Sequence, residues 1–145
     1  MSTNDVNRRG DFLTMAVPAA AAVASGDVLI FGSAGSPSYN IAGIAENAYT
    51  PPGSRVTTGN VGVAFVGVFL LSVVGKSTID PGTGATIRVG DPVFADGGTY
   101  DATTGCTYGC TLNTNSTRGY LVGFALDPVT SGSTTTIRVK LKGGR

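Results

Sequence analysis

The sequence predicts an all-β domain, and three observations carry that expectation. Short runs dominated by Val, Ile, Thr and Phe recur along the chain, as extended strands prefer. Clusters of turn-forming residues separate them, among them "GSAGSPS", "TPPGS", "DPGTG", "ADGGTYDATTG" and "DPVTSGS". No stretch repeats its apolar residues at a convincing helical period.

The elements follow in chain order. Residues 1–11 are polar and open an N-terminal arm taken through residue 15, with a β-domain over 16–145. "DVLIFG" at 27–32 is a short apolar run of the buried type. "YNIAGIA" at 39–45 is another, with Gly43 where a neighbouring chain segment can approach closely. "NVGVAFVGVFLLSVV" at 60–74 is either one long bent strand or two strands joined at Gly67. "ATIRV" and "PVFA" follow, separated by a turn at Gly90-Asp91. A Thr-, Gly- and Cys-rich segment occupies about 99–118, after which "GYLVGFAL" and "TTTIRVKLK" supply the last two strands.

The two halves of the chain echo each other. Gly26-Asp27 and Gly90-Asp91 each precede a short apolar strand. A pattern of aliphatics, Gly, an apolar residue and Ala then recurs at Ile41 to Ala45 and at Leu121 to Ala125. The expected unit is turn, strand, loop, and a second strand whose glycine marks a close crossing. Asp27 and Asp91 are then turn residues bonding local backbone amides rather than two ligands of one metal, for which further oxygen ligands are lacking.

Composition excludes several functions. A chain of 145 residues suffices for one domain with a real core. His is absent, which removes the usual Ser-His and Cys-His nucleophile pairs and imidazole metal ligands. Glu46 is the only glutamate, and the carboxylates form no convincing acid–base pair. The reading is therefore non-enzymatic, with no catalytic residue, no cofactor and no metal. Charged residues make up 13% and the formal net charge is +1, so no nucleic-acid footprint stands out. The longest apolar run, 64–74, is shorter than the ~20 residues of a membrane-spanning helix, so no membrane partner is expected. Cys106 and Cys110 either close a short-loop disulfide or sit reduced near a hairpin, the latter favoured in a reducing cytoplasm.

Two segments imitate functional motifs. "VVGKST" at 73–78 ends like a phosphate-binding loop, which reads G-x-x-x-x-G-K-[ST] between strand and helix. Leu70 stands where the first glycine belongs, and Pro81, Gly82 and Gly84 fall where the helix should run. Lys76 to Thr78 are therefore read as leaving a strand for a loop, against the rival of a nucleotide-binding recombinase factor. "NRRGDFLTMAVPAAAAVASG" imitates a twin-arginine export signal with a cleavage site near Ala24. Asp11, Pro18 and the weakly apolar alanines argue against it, and an exported β-rich surface or adhesin module is the alternative reading.

The order "VASGDVLIFG", "AFVGVFLLSVVGK", "VGDPVFADGGTYD", "GYLVGFALDPVTSGSTTTIRVKL" resembles the bacteriophage capsid decoration, or cement, proteins. The resemblance runs from about Ala16 to Leu141, with 99–118 looking like an insertion. It implies a small β-barrel or β-tulip-like domain with an extended N-terminal arm. It also implies a structural protein on the outer surface of the virion, assembled in the host cytoplasm, that binds and stabilises the capsid. The implied partners are the major capsid protein, the chain itself as a homotrimer, and neighbouring decoration trimers. Arg8, Arg9, Phe12, Leu13 and Met15 become candidate capsid or inter-trimer contacts. The resemblance further favours "AVPAAAAVAS" as the lead into the first strand rather than a cleaved leader, and strand over helix for the alanine run 19–24, although composition alone would suit a short helix there.

Overall fold

The computed structural model describes residues 12–18, 21–33, 40–46, 58–77, 83–117 and 119–143. These form strands and turns, with no helix among the described residues. The strands are β1 (Phe12–Pro18), β2 (Val28–Phe31), β3 (Ile41–Ala45), β4 (Thr58–Ala64), β5 (Val68–Val74) and β6 (Pro92–Asp96). They continue as β7 (Thr99–Asp101), β8 (Cys106–Tyr108), β9 (Thr111–Asn113), β10 (Tyr120–Ala125) and β11 (Thr134–Leu141). A six-stranded sheet runs β1-β4-β3-β2-β8-β7, and a closed barrel runs β10-β11-β5-β9-β6. The all-β expectation and its barrel are therefore met.

Side-chain alternation decides what each strand does. On β11, Ile137, Val139 and Leu141 point into the barrel core while Thr136, Arg138 and Lys140 face water. On β2 all four residues are buried, Val28 and Ile30 in the barrel-side core, Leu29 and Phe31 in a second core. That second core gathers Val17, Ala21, Val23, Ala45, Val61, Val63, Phe65 and Cys106. The continuous apolar run of 28–31 thus reflects a strand covered on both faces. The 60–74 stretch resolves into two strands, with Gly67 at the corner between β4 and β5.

The echo in the sequence is a repeated piece of geometry. Asp27 N–H donates to Ala24 O at 3.1 Å, and Asp91 N–H donates to Arg88 O at 3.1 Å. The Asp27 carboxylate accepts the Ala24 amide at 2.8 Å, and Asp91 accepts that of Arg88 at 2.7 Å. Gly26 and Gly90, at φ 95° and 92°, occupy the third position of these turns, where a side chain would be strained. Each turn then clasps the far strand: Gly26 N–H to Ala45 O and Ala45 N–H to Asp27 O, Gly90 N–H to Ala125 O and Ala125 N–H to Asp91 O. β2 pairs antiparallel with β3, and β6 pairs antiparallel with β10. The glycines mark close crossings as expected. A Cβ on Gly43 would press on Val63 and Phe65, and one on Gly123 on the backbone of Lys140 and Leu141.

A third copy opens β11. Ser133 N–H donates to Thr130 O, Gly132 N–H to Gly75 O and Gly75 N–H to Ser133 O. Here Ser133 stands in the aspartate position, and its hydroxyl donates to Thr130 O at 2.7 Å instead of accepting an amide.

Two strand expectations are corrected. "ATIRV" is not a strand: Ile87 makes one isolated bridge to Val129. The Arg88 amide is taken by the Asp91 carboxylate, and Pro128 beside Val129 has no N–H to extend a ladder. Residues 21–24 of the alanine run also lie outside the strands, since Ala21 N–H bonds back to Pro18 O and Ala24 N–H goes to Asp27. The 99–118 segment supplies β7, β8 and β9, so it contributes to both sheets: β8 pairs with β2, and β9 lies between β5 and β6.

Candidate functional site

The phosphate-loop look-alike is built as the end of a strand. β5 stops at Val74, and Gly75 is clasped by Ser133 and Gly132 as above while its carbonyl also accepts the Ala85 amide at 2.9 Å. A Cβ on Gly75 would collide with the Thr130 carbonyl oxygen and sit 2.9 Å from that of Ala85. This glycine answers a packing demand. The next amides are also spoken for: Lys76 N–H goes to Val74 O and Ser77 N–H to Thr83 O. A phosphate cradle needs these amides free and pointing together into a ligand. The Lys76 carbonyl accepts from the Thr114 amide and hydroxyl, which ties the segment to the end of β9.

The aspartates expected in turns are there, as are two more polar anchors. Asp101 accepts both the amide and the hydroxyl of Thr104, at 2.8 and 2.7 Å, shaping the β7–β8 connection. Asp96 is buried and accepts the side-chain amide of Asn115 at 2.7 Å and of Asn113 at 3.3 Å. Asn113 and Asn115 in turn accept the amides of Asn115 and Thr117. Their carbonyl oxygens are therefore engaged in holding the 113–117 turn. No group of three or more potential metal-binding His, Cys, Asp or Glu side chains occurs among the described residues.

Cys106 and Cys110 are free thiols. Burial, with Cys110 and then Asp101 nearby, pushes the Cys106 thiol up to about 12. Burial, then the Asp96 charge, pushes Cys110 up to about 11. Both stay protonated at neutral pH, which makes them poor nucleophiles. The Cys110 thiol lies 3.6 Å from the Gly97 carbonyl, its hydrogen-bond acceptor.

The candidate contact residues of the arm fall in three situations. Arg8 and Arg9 lie outside the described residues. Phe12 begins β1, pairing with Ala64, so the sheet takes in residues 12–15 that the sequence assigns to the arm. Leu13 pairs with Val63 and stays 36% exposed, while Met15 pairs with Val61 and packs against the second core. Val17, Ala21 and Val23, from the stretch that imitates a leader, are buried in that core.

Sequence reasoning passed over the outer face of the barrel. Val68 and Leu70 on β5 and Phe124 on β10 are exposed, with Arg138 and Lys140 of β11 between them. The signal was present in the alternation of "VFLLSVV", but nothing in that string says which side faces water. Arg138 forks onto Asp127, with Nε and NH2 donating at 2.9 and 2.7 Å. The fork and the Arg138 backbone amide hold the Asp127 carboxyl down at about 2 and raise the guanidinium in return.

These features describe an all-β domain whose one enzyme-like motif is consumed by its own backbone. A family model described as phage cement protein matches residues 7–141, and the chain belongs to that family. No curated protein and no solved structure matches it significantly. Membership implies a structural, non-catalytic role associated with the phage capsid.

Proposed function

We propose that this protein binds the outside of the assembled phage capsid as a homotrimer and stabilises the shell. The match to the cement family over 7–141 carries this reading. A ligand that binds the expanded shell better than its alternatives stabilises that shell by mass action. A trimer touching several capsid subunits multiplies weak contacts through effective concentration. In this reading the arm, residues 1–15, is rooted in the domain through its last four residues in β1 and extends towards the shell or a neighbouring trimer, with Arg8, Arg9, Phe12 and Leu13 as contacts and Met15 anchoring its base. Residues 16–145 are the body that the arm serves.

Co-sedimentation with expanded and unexpanded shells of the phage that carries this chain tests the proposal. Saturable binding that favours expanded shells, with a higher shell melting temperature, is expected. Absence of both binding and stabilisation overturns it.

A further inference from the structure

The outer face of the barrel is laid out in lines. Val68 and Leu70 stand along β5, at 52% and 70% exposure, and Phe124 stands on β10 at 40%. Strand β11 runs between them. Its Lys140 pairs across to Val68 on one side and to Phe124 on the other, and Arg138 pairs across to Leu70. Pro92, also exposed, continues the row beyond Phe124. Lys142 follows at the end of the strand, exposed, with its amide on Val122 O. Val66, 52% exposed, precedes β5 at the Gly67 corner, whose carbonyl accepts the Leu141 amide. Apolar side chains thus flank a line of cations on one face, and they include the most exposed large apolar residue described, Leu70.

The charges on this face are unequal. Arg138 is answered by Asp127. Lys140 and Lys142 have no ion pair with any described residue. Among the described carboxylates Asp127 is already spent on Arg138. Two lysines without carboxylate partners beside an apolar centre fit a surface that brings its own carboxylates.

We propose that the β5–β11–β10 face of the barrel, centred on Leu70, Val68 and Phe124 and edged by Lys140 and Lys142, docks on an acidic, partly apolar protein surface. Resting on the capsid-binding reading above, that surface is on the shell. Burial of the apolar centre supplies affinity, and the two lysines supply orientation and a salt-sensitive association rate.

The test uses full-length protein and expanded shells, comparing wild type, Leu70→Ser, Lys140→Glu/Lys142→Glu and, as a control from the other sheet, Tyr100→Ser. All four positions are exposed, and thermal unfolding confirms that each variant is folded. The expected result is at least about tenfold weaker shell binding for Leu70→Ser and for the charge reversal, with Tyr100→Ser unchanged. Wild-type binding should fall as salt is raised, and the charge reversal should flatten that dependence. If wild type binds while both face variants bind equally well, this inference fails and the capsid reading stands. If the variants lose self-association in sedimentation velocity but retain shell binding, the face joins copies of the chain and the inference is overturned. If wild type binds neither kind of shell, both readings fall.

Discussion

Gly132 donates its amide to the carbonyl of Gly75 at 2.7 Å, fixing the end of β5 against the turn that opens β11. The same clasp joins Gly26 to Ala45 and Gly90 to Ala125. Gly75, the glycine that makes "VVGKST" look like a nucleotide site, is therefore explained by the fold. Its missing Cβ leaves room for the Thr130 and Ala85 carbonyls.

Substitution separates the two readings of that motif. Gly75→Ala forces a methyl group against backbone that cannot swing aside, and a loss of about 1–3 kcal/mol is expected in urea unfolding. Lys76→Ala keeps the backbone bonds of residue 76 and should change stability by no more than about 0.5 kcal/mol. Equilibrium dialysis with ATP should show no saturable uptake by wild type. Uptake that disappears in Lys76→Ala would restore the nucleotide reading.

The repeated turn makes a matched pair of predictions. Asp27→Ala and Asp91→Ala each remove the acceptor of a backbone amide three residues earlier, in turns of the same geometry. Each should cost about 1 kcal/mol, and the two losses should agree closely. Asp→Asn at either position keeps an acceptor oxygen and should recover most of the loss. Unequal losses in urea titrations would mean that the two turns are not energetic equivalents.

Much of this architecture can be read from the chain, for identifiable reasons. "TTTIRVKL" alternates cleanly because one face of β11 meets core and the other meets water. Gly43 and Gly123 announce close crossings because the neighbouring Val63 side chain and Lys140 backbone leave no room for a methyl. The third clasp is hidden because Ser133 replaces the aspartate and reverses the direction of the side-chain bond. "ATIRV" misleads because its strand-like composition is overruled by Asp91 and Pro128, which remove the amides a ladder needs. The division of strands between barrel and open sheet rests on contacts between distant segments, such as Val73 with Leu112, which no local pattern encodes. The barrel face is equally non-local, because Leu70, Arg138 and Phe124 meet only once β11 lies between β5 and β10.

The Asp127–Arg138 fork sets an acid-side expectation. The Asp127 carboxyl is lowered from 3.8 to about 2 in the folded protein, chiefly by the Arg138 side chain and then by its backbone amide. A depressed folded value means that the contribution is complete above about 3.8 and is lost as pH falls through about 2. Asp127→Asn should therefore lose less stability than wild type across that window. Because the fork is exposed, added salt should shrink the difference. Thermal melts at several pH values, with and without salt, check both statements. Parallel slopes for the two proteins would remove the fork from the account of acid stability.

The thiols set the opposite expectation at high pH. Cys106 is raised from 9.0 to about 12 and Cys110 from 9.0 to about 11, in both cases mainly because burial disfavours the thiolate. Above about 9 the unfolded chain releases these protons while the folded chain keeps them, so the unfolded state binds fewer protons and stability falls as pH rises. The fall should continue until the folded values are reached. Cys106→Ala removes the larger shift and leaves a small cavity in the second core, so it should lower stability at pH 7 by about 1 kcal/mol and flatten the alkaline decline. Cys110→Ala, at a half-buried site, should flatten the decline with less loss at neutral pH. Urea titrations between about pH 7 and pH 11 measure both slopes. An alkaline decline unchanged in the double variant would assign that decline to groups other than these thiols.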